Sequence, residues 1–181
     1  MAEPYEPRED SLLLRRIVEG ISAEAALEIG CGVGFVLEAL ANRCRWVVGT
    51  DINMDALVRA KNRLRGKGLV NSELVCCSSA EAFKANSFDL VIFNPPYLPS
   101  ERIEDLAVDG GEGGVEVTLN WLKECARVVK PSGKVVLISS SLASQELLIR
   151  GATRLGFKIK LIASQPLFFE ELYAYELMSL P

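Results

Sequence analysis

A chain of 181 residues with 49% hydrophobic content can build one complete core but little more, so it is read as a single domain over 1–181, with residues 1–22 forming an amino-terminal helical segment within it. The sequence contains no histidine, which excludes imidazole triads, histidine-bound zinc and histidine proton shuttles; its formal net charge of −4 and pI of about 5.1 argue against a nucleic-acid-binding surface. No apolar run approaches the roughly 20 residues that span a bilayer, and Met1-Ala2-Glu3-Pro4 has no basic stretch followed by an apolar one, so a soluble cytoplasmic protein is expected.

Residues 10 to about 20, with Leu13, Leu14, Ile17 and Val18 on one stripe, predict an opening helix whose start is either capped by Glu9, Asp10 and Ser11 or leaves them free for a ligand. Ala25–Ile29 predicts the first strand, Gly30-Cys31-Gly32-Val33-Gly34 a tight glycine loop, and Phe35–Ala41 the helix after it. Glycines let backbone approach a ligand closely, and a helix amino end offers unpaired N–H groups. The G-x-G-x-G spacing is followed by Phe35, where a dinucleotide fingerprint needs a small residue for close helix–strand packing, and this argues against NAD or FAD. Residues 46–50 read as the second strand, closed by Asp51 at about the offset where an acid meets ribose hydroxyls. The competing role for Asp51 is a helix cap, since residues 53–57 look like a helix start. That helix runs to about residue 67; Arg59, Lys61, Arg63, Arg65 and Lys67, with no aromatic residues among them, read as a solvated face. A short strand follows near Leu74-Val75-Cys76.

Residues 88–93 form an apolar run that reads as a buried fourth strand, and Asn94-Pro95-Pro96-Tyr97 follows directly. At average residue usage this tetrapeptide arises by chance roughly once in a thousand such chains or fewer. Two prolines fix φ and carry no N–H, so the carbonyls before them stay free to accept, and with the Asn94 amide they make a rigid acceptor cluster for an –NH2 group. A proline turn is the plainer alternative. Residues 98–114, the longest stretch read as irregular, are glycine-rich and acidic and suit an active-site cover. Residues 117–129 predict a helix, 131–133 a turn, 134–139 the fifth strand and 144–155 another helix. Residues 157–162 and 173–178 alternate like a half-solvated antiparallel pair. Strands alternating with helices predict a doubly wound, mostly parallel α/β sheet. The five cysteines, Cys31, Cys44, Cys76, Cys77 and Cys125, include no C-x-x-C pair and read as buried free thiols, with no metal site expected.

These residues resemble the class I S-adenosylmethionine-dependent methyltransferases, and within them the HemK-like group that methylates a glutamine side-chain nitrogen. Tyr5-Glu6-Pro7-Arg8-Glu9-Asp10-Ser11 is similar to that group's cofactor-clasping segment, Leu27-Glu28-Ile29-Gly30-Cys31-Gly32-Val33-Gly34 to its cofactor loop, Asn94-Pro95-Pro96-Tyr97 to its catalytic motif, and residues 110–116 to the glycine-rich segment that follows. The likeness is greatest to the short archaeal and eukaryotic branch, without the helical substrate domain of longer bacterial relatives. It implies a seven-stranded sheet with an antiparallel carboxyl-terminal strand, S-adenosylmethionine as cofactor with S-adenosylhomocysteine as product, and the glutamine of a Gly-Gly-Gln loop in a class 1 release factor as substrate. By resemblance, Asn94, Pro95 and Tyr97 are catalytic, the Tyr97 ring packing on the substrate amide or anchoring the loop. Tyr5, Glu9, Ser11, Glu28, Gly30, Gly32, Gly34, Asp51, Ile52, Ser78, Ser79 and Asn94 are expected around the cofactor. Glu28, in an apolar strand, needs a partner: the cofactor's amino-acid end or a loop N–H. Where relatives often carry an acid near the adenine, this chain has Cys76-Cys77-Ser78-Ser79-Ala80, which offers only hydroxyls. The branch also implies a small zinc-binding activator on the sheet edge near residues 74–77, where unpaired backbone groups lack the Lys or Pro that protects edges. An adenine-N6 nucleic-acid methyltransferase is the alternative, since the same motif serves such enzymes.

Overall fold

The computed structural model describes residues 6–102, 105 and 108–179. Its elements run α1 (Glu9–Val18), β1 (Ala25–Ile29), α2 (Phe35–Ala41), β2 (Trp46–Asp51), α3 (Met54–Gly66), β3 (Ser72–Cys76), β4 (Phe88–Phe93), β5 (Leu98–Pro99), β6 (Asp109–Gly111), α4 (Glu116–Val128), β7 (Val129–Ser140), α5 (Gln145–Arg154), β8 (Phe157–Pro166) and β9 (Glu171–Ser179). Seven strands form one sheet in the order β3-β2-β1-β4-β7-β9-β8. The first five are parallel, β9 is antiparallel to both neighbours, and the doubly wound sheet with an antiparallel carboxyl-terminal strand is as expected. Alternate residues of the central strands face opposite layers. Ala26, Val47, Leu90, Ile92, Val136 and Ile138 pack under α1, α2 and α3, while Leu27, Ile29, Val91, Phe93, Val135 and Leu137 pack under α4 and α5.

Three expectations are corrected. Residues 131–133 do not turn out of the sheet; they form an irregularity inside β7, where the register against β4 shifts between Phe88 and Leu90. Gly133 permits it, because a Cβ there would lie 2.7 Å from Val129 Cγ2 and 2.9 Å from the Asp89 carbonyl. The cover segment is not wholly irregular: β5 pairs with β6, and one 3₁₀ turn follows at Glu112–Gly114. Cysteines 31, 44 and 125 are buried as expected, but Cys76 is exposed and Cys77 only half-buried.

β3 is an edge strand, paired only with β2. The Val47 N–H donates to Asn71 O and the Cys77 N–H to Asp51 O, which with the register turns the backbone groups of residues 71, 73, 75 and 77 towards β2. Those of Ser72, Leu74 and Cys76 therefore face outward, so the open edge is not the continuous run of residues 74–77. Among the described residues, no helix is long and apolar enough to cross a membrane.

Candidate active site

The chain leaves β1 for β2 and β3 on one side and returns to β4 on the other, so the topological switch point lies between β1 and β4, the place where open α/β sheets bind ligands. Ile29 and Phe93 are register partners. Gly30 and Asn94, the next residues, thus leave the sheet side by side. Glycine loop and proline motif share one crevice because their strands are neighbours, although more than sixty residues of chain separate them.

The loop needs its glycines for different reasons. Gly30, Gly32 and Gly34 all take positive φ, at 66°, 50° and 76°, a region that a Cβ disfavours. A Cβ on Gly30 would meet the Trp121 ring at 2.8 Å and one on Gly34 would meet Ala60 at 2.9 Å, whereas nothing lies within 4 Å of one on Gly32. Gly30 and Gly34 therefore serve protein packing, and Gly32 keeps an open approach. The Gly32 N–H donates to Asp51 Oδ2 at 2.8 Å and the Asn53 N–H to Asp51 Oδ1 at 2.8 Å. The cap of α3 is instead Asn53, whose side-chain oxygen accepts from the N–H of Asp55 and Ala56. Asp51 is thus not the helix cap; its carboxylate is braced on the glycine loop with further lone pairs to spare.

The proline motif is held from two sides. Pro95 and Pro96 are buried. The Tyr97 hydroxyl donates to Asp10 Oδ2 at 3.3 Å, which ties the motif to the first turn of α1. On the other side Gly114, at φ 69°, has a Cβ position only 2.3 Å from the Tyr97 carbonyl oxygen, so the glycine-rich segment lies directly on the motif. The Leu98 N–H donates to Val108 O and the Ser100 N–H to Gly111 O, extending that contact.

Three buried side-chain oxygens find no hydrogen-bond partner among the described residues: Glu28 Oε2, Ser79 Oγ and Asn94 Oδ1. Buried polar atoms are normally paired, and these three belong to β1, the loop after β3 and the residue closing β4, around the same glycine loop. Burial, with the Asp51 carboxylate adding to it, pushes the Glu28 carboxyl well above its ordinary range, against the pull of the Leu37 N–H. Two acceptors and a hydroxyl awaiting partners suit a ligand carrying ammonium and amino groups, and the residues present therefore fit S-adenosylmethionine. Ser79 sits at φ 50° with its carbonyl accepting from Thr50 Oγ1 at 2.8 Å; Ser78 is exposed and its N–H donates to Glu81. Ile52 is 64% exposed beside Asp51. Glu9 is exposed on α1, whose N-cap position, Arg8, makes no side-chain cap, and the buried Ser11 hydroxyl lies 3.2 Å from Asp10 Oδ1. Tyr5 lies outside the described residues. No group of three His, Cys, Asp or Glu among the described residues is placed to hold a metal ion.

Residues 26–108 match the family described as methyltransferase domain. With the sheet order and the crevice between β1 and β4, this makes the chain a class I S-adenosylmethionine-dependent methyltransferase. Over 179 residues it is 34% identical to a protein of Methanocaldococcus jannaschii provisionally named a protein N5-glutamine methyltransferase, covering 94% of this chain and 89% of that one. It belongs to the protein N5-glutamine methyltransferase family. A chain of the E. cuniculi Mtq2–Trm112 complex, described as responsible for the methylation of the translation termination factor eRF1, is similar with a TM-score of 0.81 and 25% identity over 98% of this chain and 99% of that one. A tRNA1(Val) (adenine(37)-N6)-methyltransferase of Aeromonas hydrophila is 27% identical over 146 residues, 77% of this chain and 61% of the relative.

Arg15, Glu38, Arg63 and Trp121 also surround the glycine loop, and no local sequence pattern assigns them there. Glu38 carried a signal, a carboxylate within the apolar run of residues 35–41, but its arginine partners lie 23 and 25 residues away. The basic helix is not simply a solvated face, since Arg63 turns inward to Val33 O and Glu38.

Proposed function

We propose that this enzyme methylates the side-chain amide nitrogen of the glutamine in the Gly-Gly-Gln loop of a class 1 release factor. The observation that carries the reading is Asn94: its Oδ1 is buried without a partner among the described residues at the strand end beside the glycine loop, and rigid prolines follow it. The Glu28 carboxylate would hold the cofactor's amino-acid end, the N–H groups around Gly32 would line its approach, and the free lone pairs of Asp51 would accept from the ribose hydroxyls. Ile52 would cover the adenine, with Ser79 as its hydrogen-bonding partner. Glu9 and Ser11 would close over the other side, with Ser78 at the rim. When bound, S-adenosylmethionine supplies a methyl group already activated as a sulfonium.

What remains for the protein is alignment. Asn94 Oδ1 and the Pro95 carbonyl would accept the two amide hydrogens of the substrate glutamine, which fixes the nitrogen's direction and favours the positive charge that develops on it as the nitrogen–methyl bond forms and the methyl's bond to sulfur breaks; one of the two hydrogens then leaves the nitrogen as a proton to solvent. Pro95 and Pro96 have fixed φ and no N–H to donate, which keeps the motif rigid. Tyr97, bonded to Asp10, acts through position by keeping the motif against α1.

A groove of about 620 Å³ beside the motif is lined by Pro99, Ser100, Glu101, Glu112, Gly113 and Glu116. Three carboxylates there oppose a phosphate backbone, which favours a protein substrate over the nucleic acid that the tRNA-modifying relative acts on. A translation factor as substrate implies work in the cytoplasm. The outward groups of Ser72, Leu74 and Cys76 suit strand addition by a small zinc-binding activator subunit, in keeping with the Mtq2–Trm112 pairing of the similar structure.

The test is incubation with labelled S-adenosylmethionine and a purified class 1 release factor, followed by mass spectrometry of the Gly-Gly-Gln peptide. Asn94→Ala should cut turnover on the order of a hundredfold and leave cofactor affinity unchanged. Label on tRNA or DNA, with none on the release factor, would overturn the proposal.

A further inference from the structure

Arg15, Glu38 and Arg63 form a cluster that none of the roles above uses. Glu38 lies on α2 one turn after the glycine loop with its side chain 10% exposed, held by Arg15 Nη2 of α1 at 3.2 Å and Arg63 Nη1 of α3 at 3.3 Å. An enclosed carboxylate needs such pairing. Burial works against its charge, but the two guanidiniums outweigh burial and hold its carboxyl below the ordinary range. Each arginine spends another N–H on loop backbone: Arg63 Nε donates to Val33 O at 3.1 Å and Arg15 Nη1 to Phe35 O at 2.7 Å. The Phe35 ring lies against both guanidiniums, at 4.7 and 5.8 Å.

These two carbonyls flank Gly34, the αL residue that opens α2 without any side-chain cap. A trans peptide plane carries its C=O and N–H in opposite directions. Pinning the carbonyls of Val33 and Phe35 from one side therefore aims the amides of Gly34 and Val36 on the other, and with them the shape of the loop whose Gly32 N–H meets Asp51. We propose that Glu38, Arg15 and Arg63 are positioning residues, a bracket that sets cofactor affinity by fixing the peptide planes at the start of α2. The inference rests on the reading that this loop holds S-adenosylmethionine. A lysine cannot replace Arg63, because one ammonium lacks the rigid fork that reaches a carbonyl and a carboxylate together.

The experiment is calorimetric titration of the full chain with S-adenosylmethionine for Arg63→Gln, Arg63→Lys and Glu38→Gln, with hydrogen exchange of residues 32–36 in the free protein. Arg63→Gln removes the bonds to both Val33 O and Glu38, and Glu38→Gln takes the charge from the acceptor of both arginines, so Kd should rise about tenfold or more. Exchange at residues 32–36 should quicken, and kcat at saturating cofactor should stay within about twofold. Because all three act on one bracket, Arg63→Gln combined with Glu38→Gln should weaken binding less than the product of the two. The bracket is refuted by unchanged Kd in folded Arg63→Gln, by full rescue in Arg63→Lys, or by a fall in kcat with Kd intact. Should Glu38→Gln fail to fold, the Arg63 variants, at a side chain 36% exposed, decide alone. Failure of the unsubstituted chain to bind S-adenosylmethionine would instead overturn the loop's assignment, and the bracket with it.

Discussion

Gly114→Ala separates the placing of the proline motif from overall stability. Gly114 has φ 69°, and its Cβ position lies 2.3 Å from the Tyr97 carbonyl oxygen and 3.1 Å from Ala143 Cβ. The first contact is more than 1 Å inside ordinary van der Waals distance and involves backbone, so no rotamer change relieves it. Either the glycine-rich segment or the residues after Pro96 must move by about that amount. Backbone strain alone costs on the order of 1–3 kcal/mol, or a melting temperature lower by roughly 2–10 °C in a chain of this size. A displacement of about 1 Å at the reacting centre can cost on the order of a hundredfold in rate, and a loss of that size in kcat is expected, with cofactor affinity unchanged because Asp51 and Gly32 lie outside the clash. Gly68→Ala is the control: φ is 70° there with nothing within 4 Å of a Cβ, so it should bring the strain without the displacement. Single-turnover methylation of the release factor, alongside thermal melts of both variants, is the assay. Equal kcat in the two variants would show that contact between Gly114 and the motif does not place the catalytic residues.

Asp51→Ala should weaken S-adenosylmethionine binding roughly tenfold to a hundredfold in calorimetry, and at the upper end of that range since the Gly32 N–H loses its acceptor too; unchanged affinity would remove Asp51 from the ribose site. Glu28→Gln tests burial through pH. The Glu28 carboxyl is raised by burial first and by Asp51 second, so the stability it confers while protonated is full below its unfolded value of about 4.3 and is lost as pH rises through the raised native value. In the free protein the glutamine variant should therefore melt above the unsubstituted chain at high pH and lose that advantage towards pH 4; a difference independent of pH would contradict the assignment. Leu74→Pro removes an outward N–H from the β3 edge and should abolish association with an activator in gel filtration while leaving cofactor binding intact. Val75→Pro removes a donor that faces β2 and should destabilise the sheet itself. Undiminished association by Leu74→Pro would exclude strand addition there.

What the sequence disclosed, and what it did not, follows from how far each feature reaches along the chain. The glycine loop, Asp51 and the proline motif are local: each puts unusual backbone chemistry directly after an apolar run, so strand and ligand-facing turn are read from one short window. The Tyr97–Asp10 contact spans 87 residues and the Glu38 pairs span 23 and 25, and no window contains both partners. Asp51 shows how a local ambiguity ends. The residue type allows both cap and ribose acceptor, the order of glycine loop, acid and proline motif favours the ribose, and the Asn53 side chain, already bonded to Asp55 and Ala56, releases Asp51 from the helix. Residues 131–133 misled in the opposite sense, because proline, serine and glycine favour a turn locally, while pairing with β4 on both sides of them, at Val129 and again from Lys134, holds the chain in the sheet.

The three unpartnered oxygens tie the free protein to its ligands. A buried polar atom left without a partner costs about 1–3 kcal/mol, and a fold with only some 5–15 kcal/mol of net stability has little room for several. Here they fall on Glu28 of β1 and Asn94 at the end of β4, the two strands that flank the switch point, and on Ser79, after β3 and against Thr50 of β2, and none elsewhere among the described residues. On the proposed assignment the penalty falls where a ligand would remove it: an ammonium at Glu28 and a hydrogen-bonding ring edge at Ser79 for the cofactor, an amide hydrogen at Asn94 for the substrate. Divided in this way, cofactor should stabilise the protein against heat before any substrate is present, and the cost at Asn94 should remain until an –NH2 group arrives. That residual cost favours a substrate which presents two hydrogens to the proline motif over one, such as a methylated product, which presents a single hydrogen.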